Sequence, residues 1–170
     1  MDAIELLMAD HRKVEKIMEE LESTTERGVK TREELFRRLK LELTVHEIVE
    51  ETIFYPALKA HPKAKDIVLE GYEEHHVVDM VMEEIAEVPY DDETWGAKAK
   101  VMIENIQHHI EEEEGEMFKQ ARQAFDRDEL EQLGEQMATR KETAMLEQEA
   151  AIAEEMGQPA PTSGGGSPMA

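Results

Sequence analysis

Two short stretches of this 170-residue chain hold the residues best suited to chemistry. In Val45-His46-Glu47-Ile48-Val49-Glu50-Glu51, His46 is followed four residues on by Glu50; in Gln107-His108-His109-Ile110-Glu111-Glu112-Glu113-Glu114, His109 is followed by Glu113 in the same way. On a helix, residues i and i+4 lie one above the other on one face. Each stretch therefore aims a neutral imidazole and a carboxylate at one point, the donor pair that a transition metal takes. In so glutamate-rich a chain one such pair carries little weight, and the weight comes from its partners. His11 sits in the middle of an apolar stripe with Leu7, Val14 and Met18, and His75 in one with Val78, Met82 and Ile85. His75 follows His11 by 64 residues and His109 follows His46 by 63, with matching neighbours in each case, so the chain contains an internal repeat.

The elements that must position these residues read as helices. Asp2 with Glu5 forms a capping box ahead of an apolar stripe of 3.6-residue period from Ile4 to Leu21. Gly28 breaks that pattern. Thr31 with Glu34 is expected to restart it as a second capping box, and Leu35, Leu39, Leu43, His46, Val49 and Glu50 then share a face. Pro56 is expected to end or kink this helix, because proline has no N–H for the helical ladder. His61-Pro62 reads as a linker with His61 in solvent. A third helix is predicted over 67–88, and a fourth after the Asp91-Asp92 loop presents Trp95, Met102, Ile106, His109, Glu113 and Met117 or Phe118. A fifth starts at Asp126 or Asp128 and runs to about Met156 on a thinner apolar face of Leu130, Leu133, Met137 and Met145. The expected fold is all-α: an up-down-up-down four-helix bundle over 1–125 with an additional C-terminal helix over 126–157. A Pro-, Gly- and Ser-rich tail, expected to be disordered, follows over 158–170.

Composition narrows the function. A net charge of −22 disfavours nucleic acid and anionic membrane surfaces and favours cations. With no cysteine, disulfides, thiolate zinc sites, iron–sulfur clusters and thiol catalysis are excluded. Neither a signal peptide nor an apolar run of about 18 residues is visible, so a soluble cytoplasmic protein is expected. Inward histidines and glutamates on four facing helices are how bundle cores hold two metals; here the set is His11, His46, Glu50, His75, His109 and Glu113. Burying two carboxylates without a cation would cost several kcal/mol each.

These motifs together resemble the hemerythrin family, in particular the bacterial hemerythrin-like or HHE cation-binding domains. The matching residues are Asp10-His11-Arg12, His46 through Glu51 with Phe54-Tyr55-Pro56-Ala57-Leu58, Glu74-His75, and His109 through Glu114, within about residues 3–120. The resemblance implies a non-haem, carboxylate-bridged pair of iron ions, with manganese or zinc also accepted by these donors. Glu50 and Glu113 would bridge; His11 and His46 would bind one iron, His75 and His109 the other. One position departs from the oxygen carriers of the family, which place an extra histidine one turn before the third-helix ligand. Gly71 stands there in this chain. Tyr72, Glu47 or solvent fills that place, or His76 takes the ligand role with Tyr72 at its own i−4; His108, paired with Glu112, is likewise the rival of His109. The repeat favours His75 and His109.

The departure argues against oxygen transport and for a protein that reacts with a small oxidant (oxygen, peroxide or nitric oxide), peroxide above the others. Catalase-like or ferroxidase turnover would make it an enzyme. A metal buffer or interaction module without redox turnover is the alternative. Because metal-binding free energy is partly folding free energy, His46→Ala and Glu50→Ala are each expected to lower metal content and melting temperature together. Metal analysis and thermal denaturation check this, and full occupancy in both variants would contradict it.

Overall fold

The computed structural model describes residues 1–157, with side chains through Glu155; the expected tail over 158–170 lies outside the described residues. The chain is all-helical. Helix α1 spans Ala3–Glu22 and opens on the expected capping box, Asp2 and Glu5 exchanging side-chain-to-backbone hydrogen bonds of 2.9 Å. Helix α2 is one rod over 29–59. It starts at Val29, two residues before the expected restart: Gly28 stands at the cap, and no side chain caps the end, so Thr31 lies inside the first turn.

Pro56 does not end α2. The rod passes from Val29–Val49 into a π turn at Glu50–Phe54 and back to α-helix at Tyr55–Lys59. Pro56 falls at the start of the last segment, where its missing N–H costs the ladder least. A 3₁₀ turn at Pro62–Ala64 leads into α3, Lys65–Ala86. His61 is half-buried rather than solvated, its ring edge-on to Phe125 at 5.0 Å.

Helix α4 repeats the design of α2: Trp95–Glu112, a π turn at Glu113–Met117, then Phe118–Ala124. Asp92 shapes the turn before it, accepting from the Thr94 N–H at 2.8 Å and the Thr94 hydroxyl at 2.6 Å. Helix α5 runs Arg127–Gly157, and Asp126 with Glu129 forms a capping box at its start.

Four helices, α1 to α4, form the bundle, and α5 lies along α1 and α2. The core has two apolar blocks. One is centred on Leu39, Met82, Trp95 and Met102; the other on Leu7, Phe54, Leu58, Val68 and Phe118, where Leu130 and Met137 of α5 join it. Between the blocks lie buried His11, His46, Glu50, His75, His109 and Glu113. On α5 the buried side chains are Leu130, Met137 and Ala144, while Leu133 and Met145 are half-buried. No described helix is long and apolar enough to cross a membrane.

Gly134 is where α5 meets the start of α1. A Cβ at this position would stand 2.8 Å from the Asp2 carbonyl carbon and 2.9 Å from the Ala3 nitrogen. Both are backbone atoms, which cannot swing aside. Gly134→Ala is expected to destabilise the protein by about 1–3 kcal/mol, the usual scale of overpacking, measured by chemical denaturation. An unchanged or raised stability would show that α5 does not seat on the bundle in this way.

Candidate metal centre

The two π turns begin at the two inward glutamates. In each, the ladder closes five residues on: the Tyr55 N–H bonds the Glu50 carbonyl, and the Phe118 N–H bonds that of Glu113. The wider turn brings residues i and i+5 toward one face. Glu50 and Tyr55 therefore both enter the core, as do Glu113 and Phe118. Single π turns inside α-helices recur at functional sites. For the same reason both Met117 and Phe118 are buried, where a plain α-helix would present one or the other.

Each carboxylate reaches across the bundle. Glu50 places Oε1 3.0 Å from His46 Nε2 and Oε2 2.9 Å from His75 Nε2. Glu113 places Oε1 3.1 Å from His11 Nε2 and Oε2 3.1 Å from His109 Nε2. Two four-residue groups result, His11-His46-Glu50-Glu113 and Glu50-His75-His109-Glu113. In each, one ligand atom from every residue lies within 4.8 Å of the others.

The site's polar atoms are poorly served by one another. Both oxygens of Glu50, Oε1 of Glu113, and Nε2 of His11 and His46 are buried, and their near neighbours are one another. His75 Nε2 and His109 Nε2 face each other at 3.2 Å. Donor atoms that converge from four helices, and can pair with one another only while protons lie between them, are what a cation would satisfy. Imidazole nitrogens and carboxylate oxygens suit iron, manganese or zinc, so the residues present fit the metal pair.

The outward Nδ1 atoms meet a second ring of carboxylates: Asp10 for His46 at 3.2 Å, Glu74 for His109 at 3.1 Å, Glu114 for His11 and Glu51 for His75 at 3.5 Å. Such partners orient a metal-binding imidazole.

Electrostatics follow from the crowding. Burial pushes His46 and His109 down, yet Glu50 with Asp10, and Glu113 with Glu74, more than offset it and hold both well above the ordinary histidine value. Burial likewise opposes charge on His75, which Glu50 and Glu51 raise to about 9. Glu113 is held well below the usual carboxylate range: burial opposes this, but contacts with Glu50, His109 and His11 outweigh it.

The place left by Gly71 is taken by a residue that spacing did not single out. A Cβ on Gly71 would stand 2.9 Å from the Tyr55 hydroxyl and 3.0 Å from its Cζ. The Tyr55 O–H donates to Glu113 Oε2 at 2.9 Å, lies 3.3 Å from His75 Nε2, and its ring stacks on that of His75. Burial, then the Glu113 and Glu50 carboxylates, keeps this phenol protonated far above neutral pH. The repeat held the signal: Tyr55 follows Glu50 by five residues as Phe118 follows Glu113.

The other candidates lie elsewhere. Tyr72 is half-buried and points its hydroxyl at the Glu51 carbonyl, 3.4 Å away. His76 is exposed. Glu47 is buried beside Asp79; burial, with that neighbour, raises it to about 9 and leaves it a neutral acid. His108 is exposed at the surface, grouped with Glu74 and Glu112.

The family model described as Hemerythrin HHE cation binding domain matches residues 2–121. Among solved structures, the chain is similar to the crystal structure of a Hemerythrin HHE cation binding domain-containing protein from Mycobacterium kansasii. The TM-score is 0.79 and the identity 24%, over 93% of this chain and 94% of that one, a likeness that speaks to the fold. No curated protein matches.

In metal-free protein His75 titrates near 9 against 6.5 for the unfolded chain. A raised folded value adds stability that is full below about 6.5 and is lost as pH rises through about 9. A cation must displace the same proton, so affinity moves the other way. Between these pH values the metal-free melting temperature is expected to fall while metal affinity rises. Uptake at neutral pH is expected to release protons, read by calorimetry in buffers of different ionisation enthalpy. Uptake without proton release would contradict this.

Proposed function

Because this chain belongs to the hemerythrin HHE cation binding domain family, we propose that its buried histidine–glutamate layer holds two iron ions and reacts with a small oxidant, peroxide above oxygen or nitric oxide. The assigned ligands are His11 and His46 for one ion, His75 and His109 for the other, with Glu50 and Glu113 shared. The observation that carries the reading is the convergence of buried imidazole nitrogens and carboxylate oxygens, from four helices, on two adjacent points. Manganese and zinc fit the same donors, but zinc has no redox chemistry.

An iron pair, when bound, would pass electrons to one peroxide and recover them from a second. The chain supplies the rest. Glu50 and Glu113 each present one oxygen to either half, which would set the spacing of a bound pair. Phe54 and Phe118 pack edge-to-face at 6.1 Å in the apolar block beside the layer and help to exclude water.

The two halves differ. Beside His11 the chain has Leu7 one turn earlier and the Phe118 ring stacked at 6.0 Å. Beside His75 it has Gly71 and the Tyr55 hydroxyl. Tyr55 thus holds a proton at the second half only, 2.9 Å from Glu113 Oε2. A positioned proton donor can speed a step by about 100-fold or more.

Tyr55→Phe removes that proton and keeps the ring. It is expected to retain two metal ions per chain and to lower peroxide turnover by on the order of 100-fold, measured as oxygen evolution or peroxide loss with iron-loaded protein. Turnover equal to wild type would remove Tyr55 from the reaction. Iron-loaded wild-type protein that leaves peroxide untouched would instead favour a metal buffer.

A further inference from the structure

The fifth helix reaches the metal centre through the Lys141 side chain. Lys141 Nζ donates to Asp10 Oδ1, while Asp10 Oδ2 lies 3.2 Å from Nδ1 of His46, whose Nε2 faces Glu50. Each of the four inward histidines has an outer carboxylate, but these are not alike. Glu51, Glu74 and Glu114 are partly exposed, and water can serve their remaining lone pairs; Asp10 is 5% exposed. A buried carboxylate with one oxygen on an imidazole needs a partner for the other, and α5 supplies it. The internal repeat sharpens the contrast: Glu74 is the counterpart of Asp10, and it lies on the α3–α4 side, away from α1 and α2 where α5 packs.

Resting on the metal reading of the site, we propose that Lys141 is a positioning residue for the His11–His46 half of the centre, acting through Asp10. The ammonium orients the Asp10 carboxylate so that its free oxygen accepts the Nδ1–H of His46. That contact selects the tautomer whose Nε2 lone pair points inward, the form a metal requires. Helix α5 is thus a clasp on one half of the centre as well as a cover for the apolar core.

The test uses the full chain, Zn²⁺ as the probe, and three variants: Lys141→Met, which keeps the stem and removes the charge; Lys141→Arg, which restores a cation; and Asp10→Asn. Zinc affinities are measured by chelator competition. The His46 Nδ1–H of the zinc-loaded protein is followed by NMR for its exchange with water. In Lys141→Met one of the two zinc affinities is expected to fall about tenfold, as for other changes to groups behind a ligand. The other is expected to hold and the His46 proton to exchange faster, even where the unpaired Asp10 oxygen lowers the metal-free melting temperature. Lys141→Arg is expected to restore affinity and slow exchange, and Lys141→Met is expected to add nothing in the Asp10→Asn background.

Equal weakening of both affinities in step with a lower metal-free melting temperature would reduce Lys141 to a structural contact and overturn the proposal. Unchanged affinity and exchange, or full additivity with Asp10→Asn, would overturn it too, leaving the metal reading intact. A wild-type chain that takes up no zinc would overturn the metal reading and the proposal together.

Discussion

Two carboxylates buried at the middle of a helical bundle are the constraint on which the rest of this structure depends. Glu50 and Glu113 are almost wholly removed from water, and neither has an arginine or lysine beside it. Their neighbours are four histidines from four helices. Left uncompensated, such burial costs several kcal/mol per charge. The layer therefore needs protons or cations at its centre, and the surroundings are arranged to favour cations. Inward nitrogens are all Nε2, and outward Nδ1 atoms meet carboxylates that fix ring orientation. Apolar blocks above and below keep the dielectric low, so any charge placed there interacts strongly.

The local backbone serves the same constraint. A regular α-helix could not bring Glu50 and Tyr55 to one face, nor Glu113 and Phe118. The π turn at each glutamate does so, at equivalent points of the repeat. Symmetry then breaks in three places. Leu7 is answered by Gly71 and Phe118 by Tyr55, which gives one half a phenol and leaves the other apolar. Asp10 is answered by Glu74, and only the former is buried under α5. The three differences make the halves of the centre chemically distinct, although the helices that carry them match.

Most of the bundle was legible in the sequence because its signals are strong and local. Apolar period, the Asp2–Glu5 cap and the His-x-x-x-Glu pairs at a repeat of 63–64 residues point to four helices, an inward layer and a family, and the structure and the family model bear out the last. Two features that the pattern hides, Tyr55 at the centre and the helix running through Pro56, have one cause. Helical-wheel reasoning assumes 3.6 residues per turn, and the π turns break that assumption where it mattered most. On an α-helical wheel Tyr55 points away from Glu50, so the 3.6-residue period offers Tyr72, Glu47, His76 or solvent for the missing histidine's place, where the Tyr55 hydroxyl stands. The same assumption makes Pro56 read as an end or a kink. The Lys141–Asp10 contact spans 131 residues and leaves no local trace in either segment.

The most direct measurement is anomalous diffraction at the iron edge from crystals of iron-loaded protein. Two peaks are expected per chain, one flanked by His11 and His46 and one by His75 and His109, with Glu50 and Glu113 between them. A single peak, none in the buried layer, or iron confined to the surface group of Glu74, His108 and Glu112 would contradict the metal centre described here.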